Sequence, residues 1–134
     1  MVGYSATPLA KKLGIGPGSR VALIAAPPTL RAALEPLPAD VTFIDAIDVQ
    51  CDLVHLFTAR RIELRDALAR CRATLRTDAV IWVSWPKQAS KVATEVTEDT
   101  IRELAFPLGY VDIKVCAVDT TWSGLKLVVR KALR

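Results

Sequence analysis

At 134 residues, with 51% apolar and 24% charged side chains, the chain has material for one self-sufficient core and lacks the composition of a disordered or fibrous protein. A formal net charge of +4 leaves room for an anionic partner without naming one. The longest apolar stretch, Val21 to Pro28, is far short of the roughly twenty residues that cross a bilayer.

Residues 1–134 read as a single domain. Thr7-Pro8 before LAKKL, with Gly14 after it, spells a short helix with a cap, a proline start and a glycine stop. GIGPG then launches a strand over Arg20 to Ala25. Pro27-Pro28-Thr29 leads into a helical segment LRAALEPL, and Val41 to Ile47 is β-branched and aromatic enough for a second strand. A third strand, Leu53 to Phe57, is followed by a helix from Arg60 to Leu75, whose Leu64, Leu68, Cys71 and Leu75 share one face. Asp78 precedes a fourth strand, Ala79 to Ser84, and a loop beginning at Trp85-Pro86-Lys87. Thr97 caps the next helix, with Ile101, Leu104, Ala105 and Leu108 as its buried stripe and Gly109 as its end. Tyr110 to Ala117 alternates as a strand with one wetter face. Leu125 to Arg130 follows after DTTWSG, too short for a helical crossover, so this last pair is antiparallel.

Strands one, three and four are apolar on both faces, as central parallel strands are; two and five carry Thr42, Asp45, Asp112 and Lys114, as edges do. With right-handed crossovers this predicts a three-layer, Rossmann-like α/β fold with a mixed sheet in the order 2-1-3-4-6-5, strand six antiparallel. That order resembles a shortened class I methyltransferase sheet. At the level of residues, GYSATPLAKKLGI, DLVHLF, WPKQASKVATEVTED and VCAVDTTWSGLKLV resemble a bacterial family of domains of unknown function, DUF3052, which implies no activity and no catalytic residues.

In an open α/β sheet, ligands bind beyond the carboxyl ends of the strands. That edge collects Pro27-Pro28, Asp45, the Trp85, Lys87 and Lys91 loop, and Asp119 to Trp122. A nucleotide or S-adenosylmethionine site needs glycines after strand one, where backbone N–H groups can meet the ligand. Proline has no N–H and a fixed φ, so no cofactor is expected. Asp45 lies about where a ribose-binding acid would stand, although Asp45 and Asp48 also suit end-of-strand turns. Ser84-Trp-Pro-Lys87 matches an S-x-x-K acyl-enzyme pattern but ends a strand rather than opening a helix. His55, the single histidine, sits mid-strand and reads as a core residue with a local hydrogen bond. Cys51, Cys71 and Cys116 are odd in number and set among apolar neighbours, so they read as reduced core thiols rather than disulfides; no metal site is expected. The N-terminus has no apolar segment after its positive charges, and a cytoplasmic location is expected.

These residues favour a non-catalytic binding module for an anionic small molecule or an acidic protein segment, with Trp85, Lys87, Lys91, Asp45, Asp119 and Trp122 as its surface. One alternative is an enzyme using Asp45, Lys87 and Asp119 on the same edge. Another is nucleic-acid binding through Arg61, Arg65, Arg72 and Arg76, which line one side of the third helix, although no aromatic residues are interleaved for base stacking.

Overall fold

The computed structural model describes residues 7–134. Its elements are α1 (Leu9–Leu13), β1 (Arg20–Ile24), α2 (Leu30–Ala33), β2 (Thr42–Ile44), β3 (Leu53–Phe57), α3 (Arg61–Thr74), β4 (Val80–Pro86), α4 (Glu98–Ala105), β5 (Tyr110–Ala117) and β6 (Trp122–Val129). The sheet order is β2-β1-β3-β4-β6-β5. β1 to β4 pair in parallel, and β6 runs antiparallel to both β4 and β5. The anticipated topology is therefore the observed one.

Several boundaries differ from expectation. Trp85 and Pro86 belong to β4 rather than to the loop, and Trp122 to Gly124 belong to β6 rather than to the turn, because the two segments pair residue for residue, Ser84 with Gly124 and Pro86 with Trp122. The turn closes earlier: the Asp119 carboxylate accepts from the backbone N–H groups of Thr121 and Trp122, both at 2.7 Å. β2 pairs only with Arg20 to Ala22 and so stops at Ile44. α2 is one turn instead of the full LRAALEPL, since Pro36 cannot continue a helix. Pro8, not Thr7, holds the cap position of α1.

Two cores result. One face of the sheet is covered by α3 and α4, through Leu64, Leu68, Cys71, Ile101 and Ala105. The Thr97 hydroxyl accepts from the Thr100 N–H (3.3 Å) and the Thr100 hydroxyl from the Thr97 N–H (3.2 Å), a reciprocal cap that starts α4. The other face is covered by the much shorter α1 and α2, through Leu13, Leu30 and Leu34. Here Trp82 supplies the missing bulk. It is fully buried, which removes on the order of 200 Å² from water and contributes about 5 kcal/mol of transfer free energy. Its indole N–H donates to the Leu13 carbonyl at 2.8 Å, satisfying an oxygen that the end of α1 leaves free.

Space for that indole depends on a missing side chain across the ladder. A Cβ on Gly124 would stand 3.1 Å from the Trp82 ring and 3.2 Å from the Ser84 hydroxyl. Gly124→Ala is expected to cost about 1–3 kcal/mol by overpacking, read as a lower midpoint in urea with an unchanged slope.

Candidate functional site

β1, β2, β3 and β4 end at Ile24, Ile44, Phe57 and Pro86, and the β5–β6 turn lies alongside, held by a hydrogen bond from the Lys87 N–H to the Thr121 carbonyl (2.8 Å). This carboxyl edge carries two shallow clefts.

The first, of about 700 Å³, opens between the ends of β1 and β2 and is lined by Ala25, Pro27, Pro28, Arg31, Phe43 and Asp45. Ala25 has φ +56°, a left-handed conformation that costs a residue with a Cβ about 1 kcal/mol or more. The Arg31 guanidinium lies over the Phe43 ring, 4.7 Å from its centroid. Asp45 sits at the exposed rim. Asp48, by contrast, is committed to the fold: Arg20 grips it with two nitrogens, the shorter contact being 2.6 Å, and this hydrogen bonding brings its carboxyl down to about 2.

The second cleft, of about 730 Å³, lies between the end of β4 and the start of α4. Trp85, 7% exposed, and Pro86 line it with Val92 and Val96, and Lys91 stands exposed at its rim. The loop from β4 to α4 is a fixed structure. The Glu95 N–H donates to the Ala59 carbonyl (2.8 Å), and the Glu95 carboxylate accepts from the Arg61 N–H (2.9 Å). Glu95 thereby places a negative charge on the N-terminus of α3, the end that favours one. Along the opposite wall Arg102 meets Glu98 (2.8 Å), Asp99 (3.2 Å) and Asp112 (3.1 Å), and the hydrogen bonds with Asp112, foremost, and Glu98 raise its pKa. Among the described residues, Lys87 and Lys91 have no carboxylate within ion-pairing distance.

Trp85 and Lys91 are thus brought into one cleft and Asp45 into the other. Asp119 is occupied by its turn, and Trp122 is half-buried, edge-on to Phe57 at 5.1 Å. The four arginines expected to line the third helix are engaged within the chain: Arg61 with Glu103, Arg65 with Asp66, Arg72 with the Leu108 carbonyl, and Arg76, just beyond α3, with Asp52 and Asp78. Sequence reasoning missed Glu95 and Arg102. The i+3 and i+4 spacing of Arg102 from Asp99 and Glu98 was a usable signal; Glu95 acts on a partner 34 residues away and gave none.

His55 Nε2 lies 2.7 Å from Ser84 Oγ, and the imidazole stacks on Phe57 at 4.3 Å. Both residues of the pair are buried, at 1% and 0% exposure, so it has no access to a substrate. The three cysteines are free and buried; burial pushes the Cys71 thiol up to about 12. Among the described residues no group of three or more His, Cys, Asp or Glu side chains is placed to hold a metal, and no helix is long and apolar enough to cross a membrane.

The strand order and its antiparallel β6 define a methyltransferase-like Rossmann fold. In solved structures the chain is similar to a putative type 11 methyltransferase from Sulfolobus solfataricus (TM-score 0.64, 10% identity, 92% of this chain and 90% of that one). It is also similar to a SAM dependent methyltransferase from Aquifex aeolicus (0.62, 11%, 91% and 88%) and to fibrillarin from Aeropyrum pernix, solved with natively bound S-adenosyl-L-methionine (0.60, 12%, 90% and 73%). At these identities the likeness concerns the fold. The family described as Protein of unknown function (DUF3052) matches residues 25–131, and the chain belongs to it. No curated protein matches. The residues after β1 do not fit an adenosyl cofactor held by backbone amides: Pro27 and Pro28 offer no N–H, and Ala25 carries a Cβ where the turn adopts a glycine-like φ.

Burial lowers the His55 pKa to about 3, so the native ring is neutral while the unfolded chain takes up a proton below about pH 6.5. The resulting stabilisation is complete above that pH and fades as pH falls toward 3, with a slope of about 1.4 kcal/mol per unit. Urea titrations should show a loss of about 1–2 kcal/mol between pH 6.5 and 5, and His55→Leu, though less stable at neutral pH, should be nearly flat over that window.

Proposed function

We propose that this domain is a non-catalytic binding module that takes an anionic small molecule or an acidic protein segment at the carboxyl edge, in the cleft between β4 and α4. The observation that carries the reading is the pairing of charges there. Arg102 absorbs the carboxylates of α4 on one wall, while Lys91 stands unpaired on the other beside the apolar floor of Trp85 and Val96. A ligand with an apolar body and an acidic end matches that arrangement, its anion toward Lys91 and away from the excess negative charge around Arg102. Three buried thiols suit a reducing cytoplasm.

The cleft between β1 and β2 supports a second reading, an enzyme of degenerate methyltransferase type acting through Asp45, with Lys87 and Asp119 on the same edge but separated from it by β1 and β3. Nucleic-acid binding along α3 has less support, because Arg61, Arg65, Arg72 and Arg76 already hold partners.

A thermal-shift titration with a short Asp/Glu-rich peptide and with aromatic carboxylates separates these readings, since a ligand that binds only the native state stabilises it by about 2.7 kcal/mol at a hundred times its Kd. Lys91→Glu should abolish the shift and Asp45→Asn leave it intact. A shift that survives Lys91→Glu but disappears in Asp45→Asn would move the function to the first cleft.

A further inference from the structure

A conflict of charges away from the carboxyl edge has no explanation in the fold. Lys114 of β5 and Lys126 of β6 are directly opposite one another in the antiparallel ladder, a geometry that sets their Cβ atoms about 5 Å apart and makes like charges destabilising. Both point to the face covered by α1. The Lys114 ammonium donates to the Lys12 carbonyl at 3.3 Å, and the Lys126 ammonium lies 4.0 Å from where a Cβ on Gly14 would stand. Lys11 and Lys12 of α1 line, with Lys114, a shallow cleft of about 540 Å³ that also reaches Cys116; Lys126, paired with Lys114 in the ladder, stands next to it.

Among the described residues no carboxylate pairs with any of these four lysines. Every ion pair among the described residues uses an arginine, and residues 1–6 contain no Asp or Glu. The C-terminal carbonyls of α1 attract ammonium groups, but a helix end offers at most about half a negative charge, and α1 has only five residues. Protection of an exposed sheet edge accounts for a lysine on β5. It does not account for Lys126, since β6 is an interior strand between β4 and β5.

We propose that Lys11, Lys12, Lys114 and Lys126 form a binding site for a di- or triphosphate group, free or as the tail of an organic phosphate. Lysines present compact point charges with rotatable donors rather than the planar fork that selects a single carboxylate. Four of them call for an anion of high charge density, which a monocarboxylate does not supply. The ligand removes the mutual repulsion of Lys114 and Lys126, so part of its binding energy is the relief of a cost already present in the free protein. The site lies on the broad face rather than at the carboxyl edge and stands independently of the function proposed above.

The test is thermal shift and calorimetry at low salt with inorganic phosphate, pyrophosphate, tripolyphosphate and ADP, against sodium chloride of matched ionic strength. Melting temperature should rise in the order phosphate, pyrophosphate, tripolyphosphate; ADP binding more tightly than pyrophosphate identifies an organic phosphate, and equal binding a free one. Lys12→Gln should weaken pyrophosphate binding about three- to tenfold, and Lys91→Glu should leave it unchanged. Lys114→Glu gives the sharpest outcome, because it replaces the repulsive pair by an attractive one: the ligand-free protein should melt about 2–4 °C higher and no longer respond to pyrophosphate. No shift at about a hundredfold the micromolar range, an undiminished response in Lys114→Glu, or a response lost with Arg61→Gln instead would overturn the site.

Discussion

Proline has no amide hydrogen and a fixed φ, and two stand in succession just beyond the end of β1, after an alanine already turned into the left-handed region. Between Pro28 and Pro36 there is room for only the single helical turn of α2. α1, stopped by Gly14, is also short, so that face of the sheet is covered by two short helices, while α3 and α4 cover the other with 14 and 8 residues. Trp82 fills the deficit, Gly124 leaves it room, and the Leu13 carbonyl fastens α1 over it. The same sparse cover leaves the lysines of β5 and α1 around an open cleft. The prolines after β1 thus set one of the two short covers and the glycine stop of α1 the other.

At the carboxyl edge the consequence is chemical. Rossmann-type sheets hold anionic cofactors with bare amides at the turn after the first strand. Here that turn offers proline rings and a cleft walled by the Arg31–Phe43 stack. Polar groups that remain on the edge are mostly occupied: Asp119 by its turn, Asp48 by Arg20, and Glu98 and Asp99 of α4 by Arg102. Among the described residues Asp45, Lys87 and Lys91 have no ion-pair partner, and Lys91 stands beside a buried indole, in a loop whose far end Glu95 anchors.

Topology was legible in the sequence because β1, β3 and β4 are apolar on both faces and because the connection before β6 was too short for a crossover. β3 matches the expected range residue for residue. The boundaries went wrong where a local signal opposed a tertiary one. Pro86 and Gly124 look like loop residues, yet the β4–β6 ladder runs through both, since a proline is tolerated at a strand's end and a glycine is needed next to Trp82. The edge that gathers the candidate residues followed from strand direction alone. Which of them meet did not, because it depends on Glu95 and Arg102, whose partners are set by how the loop folds back onto α3 and α4.

Isothermal calorimetry with S-adenosylmethionine, repeated with S-adenosylhomocysteine, bears most directly on the claim that the prolines after β1 replace the amide cradle. The account predicts no saturable heat up to about a thousandfold above the micromolar Kd expected of a functional cofactor site. One-to-one binding at micromolar Kd, with exchange protection centred on residues 25–29, would contradict it.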